Sequence, residues 1–242
     1  MTSGVGHAAG EAVLSRPLVV RLLVALAAAS GCLDVFCLTR LGGYFASVIT
    51  GNLVQFGHAI ATAQAKVLAG GAIAVGGYAL GVAVGTLALR RVVAGWHRRT
   101  GVVAAAEAVL LAGVAVGWFS AGGRPGYADG LALLGCASMA SGMQSIVTIG
   151  FGVRGASTTY LTGSLTDVVR GVVLDPHRLA GGGGGVARLL ALLGGAVLGA
   201  LTLRVAPLWA PALAAALVAG VVVVAAGLAR RTARITDRRG NE

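Results

Sequence analysis

The chain has 242 residues and a formal net charge of +11; 57% of it is hydrophobic and only 11% is charged. Soluble domains run at about 45–50% apolar and about 25% charged, so this balance excludes a disordered chain and an ordinary soluble globule. A multi-span membrane protein remains, in keeping with a mean hydropathy of +0.87. In a soluble protein the positive charge would suggest nucleic acid as a partner. Here the basic residues cluster between long apolar runs, and the positive-inside bias of membrane proteins accounts for them without a nucleic-acid partner.

A membrane-spanning helix needs about 20 apolar residues. Taken in chain order, residues 1–17 read as a flexible tail and 18–38 as the first span. Residues 26–32, LAAASGC, resemble a lipoprotein cleavage box. Ala29 stands where Leu is usual, however, and the apolar run continues to Leu38, so the span is read as uncleaved. A shorter, more polar stretch covers 44–62. Spans follow at 67–89 and 102–119, then a connector at 120–127 and a span at 128–149. A second polar stretch covers 156–174. The glycine run 181–185 is a connector and not a phosphate loop, since no Gly-Lys-Ser/Thr follows. Spans at 186–205 and 208–229 precede a basic tail, 230–242. The expected fold is an all-α polytopic membrane protein of six long transmembrane helices. Two shorter polar helices, re-entrant or partial, join them.

Charge parity orders the topology. Arg90, Arg91, Arg98 and Arg99 lie between the second and third spans, and Arg230, Arg231, Arg234, Arg238 and Arg239 follow the last. Six spans put both clusters and both termini on the cytoplasmic side; eight would separate the clusters. A seven-span arrangement with 44–62 crossing stays open. Trp118 and Trp209 fall at expected outer ends, where an aromatic belt forms. Gly77, Gly81 and Gly85, like Gly113 with Gly117 and Gly195 with Gly199, are spaced by four, which puts small residues on one helix face for close packing. Eighteen of the nineteen basic residues are Arg, and with 40 Gly this points to a GC-rich genome.

The chain repeats itself. Ser47-Val-Ile-Thr50-Gly51-Asn52-Leu53 matches Thr159-Tyr-Leu-Thr162-Gly163-Ser164-Leu165 at an offset of 112. Each copy follows a long span and a glycine break. The two halves, 18–119 and 128–229, thus hold three spans each and are inverted relative to each other. This is a transporter-like organisation, with a polar site at the interface of the repeats.

Polar groups at membrane depth need surrounding protein or a water-filled cavity. The candidate substrate- or ion-binding residues are Asp34, Thr50, Gly51, Asn52, Gln144, Thr159, Thr162, Gly163 and Ser164. Asp34 is the candidate proton or coupling-ion site, because an intramembrane carboxylate marks a pathway or a pair. Glu107 is expected to pair with Arg98 or Arg99 at the membrane interface, and Asp167 with Arg170 along one helix face. His58 is expected at the interface. Cys32, Cys37 and Cys136 read as small buried apolar residues with no metal spacing. No metal or cofactor is expected.

Gly31-Cys-Leu-Asp34, Leu41-Gly-Gly43, Thr50-Gly51-Asn52, Gly142-Met-Gln144 and residues 157–166, STTYLTGSLT, carry a resemblance. The chain resembles the YoaK-like family of uncharacterised bacterial transmembrane proteins over about residues 18–229. The resemblance implies an integral protein of the bacterial inner membrane and carries no molecular activity with it. Ser145 departs from the pattern, where such proteins often have Asn.

The expected function is transport of a small solute or ion, by a protein whose partners are the lipid bilayer and that solute. The alternative is a non-catalytic membrane protein acting through helix–helix or partner contacts, with homo-oligomers through the glycine faces open. An enzyme is not expected: no His-Glu-x-x-His and no Gly-x-Ser-Gly occurs, and no histidine falls mid-span.

Overall fold

The computed structural model describes residues 15–90, 92, 95–151, 161–174 and 183–240, without the side chains of 161, 162, 183 and 232–240. Eight helices occupy them: α1 Arg16–Arg40, α2 Ile49–Ala61, α3 Ala65–Leu89, α4 Arg98–Ser120, α5 Tyr127–Gly150, α6 Leu161–Leu174, α7 Gly183–Val205 and α8 Ala210–Gly240. Six of them, α1, α3, α4, α5, α7 and the stretch Pro207–Arg231 that contains most of α8, are long and apolar enough to cross a membrane. No strand occurs among the described residues. The 13 residues of α2 rise about 20 Å, short of a hydrocarbon core about 30 Å thick, so the seven-span arrangement falls away.

Local sequence sets the breaks. α1 takes its proline in the first turn, where the missing N–H costs nothing. It ends before Gly42 and Gly43, both at φ +93°, a conformation that side chains resist. α4 opens on a reciprocal cap between His97 and Thr100.

α1 and α5 form the centre. Burial covers 67% of the most apolar stretch of each, against 22–33% for the other four spans. α1 has no apolar stripe because it is surrounded: its core includes Leu23, Leu26, Cys32, Phe36 and Cys37. Each central helix packs most extensively on one partner, α1 on α7 and α5 on α3. Each also packs on a second, α1 on α8 and α5 on α4. Lipid tails are as apolar as leucine, so these contacts rely on close backbone approach. Glycines supply it. A Cβ at Gly195 would strike the Ala28 carbonyl oxygen, and one at Gly81 would strike that of Met139. The Cys32 thiol donates to the Gly195 carbonyl across α1 and α7 at 3.0 Å.

Three expectations need correction. Trp118 is not an interfacial anchor: it is 2% exposed, packs edge-on against Phe36 at 5.0 Å and donates from Nε1 to the Pro207 carbonyl. Trp209 is exposed, as a belt residue would be. Cys136 is not buried but lies on the outer surface of α5, whereas Cys32 and Cys37 are buried. Asp167 and Arg170 are both exposed, and no ion pair joins them among the described residues.

Candidate functional site

The polar groups of the first half converge on the segment 41–48 that links α1 to α2. Asp34, six residues before the end of α1, is buried. Its Oδ1 accepts the Ser47 backbone N–H at 2.8 Å and its Oδ2 accepts the Ser47 hydroxyl at 2.5 Å. The chain leaves α1 and returns thirteen residues later to the level of Asp34. A buried carboxylate must be met by donors, and here one residue provides two.

α2 and α3 hold the same segment. Asn52 is fully buried and grips Phe45 at two points: its Oδ1 accepts the Phe45 N–H at 2.9 Å and its Nδ2 donates to the Phe45 carbonyl at 2.7 Å. Gln55 Nε2 donates to the Gly43 carbonyl at 3.1 Å. The Tyr44 hydroxyl donates to the Val67 carbonyl at 3.1 Å, and its ring occupies the space a side chain at Gly70 would need. Burial raises the Tyr44 phenol above its ordinary range, with the neighbouring Tyr127 adding to the effect.

In the second half, Gln144 crosses from α5 to α1. Its Nε2 donates to Ser30 Oγ at 2.8 Å and to the Leu26 carbonyl at 3.1 Å. Ser30 and Asp34 are one turn apart on a single face of α1, about 6 Å between Cβ atoms. The candidates Asp34 and Gln144 are therefore neighbours through Ser30. Ser145 continues the polar row, its Oγ 2.8 Å from the Tyr78 hydroxyl of α3.

The other candidates distribute differently. Thr50 is exposed and Gly51 lies under the Phe45 ring. Ser164 is buried on α6 and Gly163 half-buried. Thr159 and the side chain of Thr162 lie outside the described residues. α2 packs on α3 and α6 on α7, so the described parts of the two short helices do not share one wall.

Glu107 corrects an expectation. It does not pair with Arg98 or Arg99, from which about two helical turns and more separate it. It is fully buried mid-way along α4, and neither carboxyl oxygen has a hydrogen-bond partner among the described residues. The Ser138 hydroxyl on α5 is likewise buried without a partner. Position alone suggested an interfacial carboxylate. The buried stripe Val103, Glu107, Leu111, Val114 and Trp118, spaced at three and four, was the signal that Glu107 faces inward. Ser47 was visible only as the first residue of the repeated motif. Ser30 carried no signal.

Among the described residues, no group of three or more His, Cys, Asp or Glu side chains could hold a metal ion. A family model described as "Protein of unknown function (DUF1275)" matches residues 22–224. No curated protein and no solved structure matches the chain. The matched span reaches into all six apolar helices, and the chain belongs to the DUF1275 family of proteins of unknown function.

Proposed function

We propose that the protein is a transporter of a small solute or ion, built from two inverted halves that move against each other around α1 and α5. The observation that carries this reading is an equivalence in packing. A Cβ at Gly31 of α1 would strike the Leu192 carbonyl oxygen and the Ala196 nitrogen of α7. A Cβ at Gly142 of α5 would strike the Tyr78 carbonyl oxygen and the Val82 nitrogen of α3. An offset of 111 carries the first central helix onto the second (142 − 31), and 114 carries α3 onto α7 (192 − 78 and 196 − 82). Three spans per half reverse the second copy in the membrane, the arrangement of alternating-access carriers.

Asp34 is the coupling site in this reading. As a carboxylate it accepts both Ser47 donors; once it binds a proton or a cation its charge is neutralised and these charge-assisted bonds become weaker ones. The hold on segment 41–48 then weakens, which links occupancy of Asp34 to the position of the segment. The arginine clusters orient the protein with both termini in the cytoplasm of a bacterium and the bundle in its inner membrane.

Reconstitution into proteoliposomes tests the proposal. Wild-type protein is expected to move a solute from a broad panel down an imposed proton or sodium gradient, and Asp34→Asn to lose the dependence on that gradient. A panel with no flux, together with identical behaviour of Asp34→Asn, overturns it.

A further inference from the structure

At the end of the bundle where α1 finishes and α3 and α5 begin, the helices leave a cavity of 470 Å³. Its walls come from the end of α1, segment 41–44, the start of α3, and the α4–α5 connector with the first turn of α5. Three cations from three different segments, Arg40, Lys66 and Arg124, line it. All three are exposed, and none forms an ion pair among the described residues. Asp129 is the one acidic residue on the surrounding segments; it is exposed and does not line the cavity. The interior is aromatic: Trp118 and Tyr44 are buried against it, and Lys66 Nζ lies 5.9 Å from the centre of the Tyr127 ring.

The last turn of α1 favours Arg40 and the Tyr127 ring favours Lys66, but neither accounts for three cations gathered around one cavity. The positive-inside bias collects arginine at the opposite end of these helices, with Arg16 and Arg21 at the start of α1, Arg90 after α3, and Arg98 and Arg99 at the start of α4. Three unpaired cations at the other end repel one another and are held around one concave space. A cavity with aromatic walls and several like-signed polar groups at its rim is built for a ligand of opposite sign with an apolar body.

We propose that this cavity binds an anion, a carboxylate or phosphate group carried on a small organic body. The guanidinium groups of Arg40 and Arg124 and the Lys66 ammonium hold the charged end, and Tyr44, Tyr127 and Trp118 take the apolar part. Leu41, Gly42 and Tyr44 of the wall belong to the segment that Ser47 ties to Asp34. The inference names the substrate class for the transport reading above and rests on that reading only for the step from binding to flux.

Equilibrium binding separates the two. Full-length protein in phosphatidylcholine nanodiscs is titrated with benzoate and with inorganic phosphate by calorimetry. In parallel, native mass spectrometry follows retention of phosphatidylglycerol against phosphatidylcholine. The triple variant Arg40→Gln, Lys66→Gln, Arg124→Gln is compared throughout, with Lys66→Arg as the charge-keeping control. Binding of a soluble anion to the wild type, weakened about tenfold or more in the triple variant and kept by Lys66→Arg, supports a free solute. Selective retention of phosphatidylglycerol with no binding of either soluble anion, again lost in the triple variant, supports a lipid headgroup. If no anion distinguishes the wild type from the triple variant, the proposal is wrong, whether or not the protein carries a solute. If anion binding holds and no flux is found, the transport reading fails alone.

Discussion

Gly31 and Gly142 stand in the same relation to their partner helices: each turns its bare Cα toward a carbonyl oxygen and, four residues on, a backbone nitrogen of the helix it crosses. A methyl group there meets main chain that cannot rotate aside. Gly31→Ala and Gly142→Ala are each expected to cost about 1–3 kcal/mol of stability, through forced separation of α1 from α7 and of α5 from α3. Gly113→Ala and Gly220→Ala, where a Cβ meets nothing within 4 Å, are expected to be neutral or slightly stabilising. Thermal melts in one detergent compare the four. Equal loss in the first pair and none in the second supports the close-contact reading; similar melts for all four contradict it.

Asp34 and Ser47 form one unit, so their substitutions are expected not to add. Ser47→Ala removes the hydroxyl donor and keeps the backbone one, while Asp34→Asn offers an N–H where Oδ1 or Oδ2 now accepts. Each is expected to destabilise by about 1–3 kcal/mol, with the double variant little worse than Asp34→Asn alone. A double-mutant cycle on chemical unfolding measures the coupling. Strict additivity would show that the two residues do not communicate.

The thiols offer a direct check on which faces meet lipid. Cys136 is on the surface of α5, whereas Cys32 and Cys37 are enclosed. In detergent at mildly alkaline pH, where a surface thiol can ionise and an enclosed one does not, a small maleimide is expected to label one cysteine per folded chain, and Cys136→Ser to abolish the labelling. Reaction at three sites before unfolding would mean that the α1 core is open.

Much of this architecture was legible because apolar length and glycine breaks are strong signals. The spans expected at 67–89 and 186–205 end where α3 and α7 end, and the motif at Ser47 falls at the start of α2; Thr159, which opens its second copy, lies outside the described residues. What the pattern could not show is the direction of a side chain at a given depth. Thr50 and Asn52 sit in one motif, yet one faces out and the other clamps Phe45. Two residues of an α-helix separate by about 200° around its axis, and which one turns inward depends on how α2 leans on α3. Cys136 and Trp118 were misplaced for the same reason: an apolar run does not say which of its faces meets lipid when neighbours cover only part of it.

Glu107 and Asp34 are both buried carboxyl groups, and they are expected to respond in opposite ways. Asp34 has donors that depend on it. Glu107 has none among the described residues, so no hydrogen bond to them is lost when it is replaced, and its own desolvation cost disappears. Glu107→Met, close in volume, is therefore expected to raise stability by about 1–3 kcal/mol, where Asp34→Asn lowers it. A stabilising loss of a buried acid is the pattern of a residue kept for activity and not for the fold. Solute flux measured on the stabilised Glu107→Met protein decides this. Reduced flux in a more stable protein assigns Glu107 to the transport pathway. Unchanged flux leaves it a tolerated polar residue of the α4 core, and a loss of stability would show that its carboxyl is held by a contact its surroundings do not reveal.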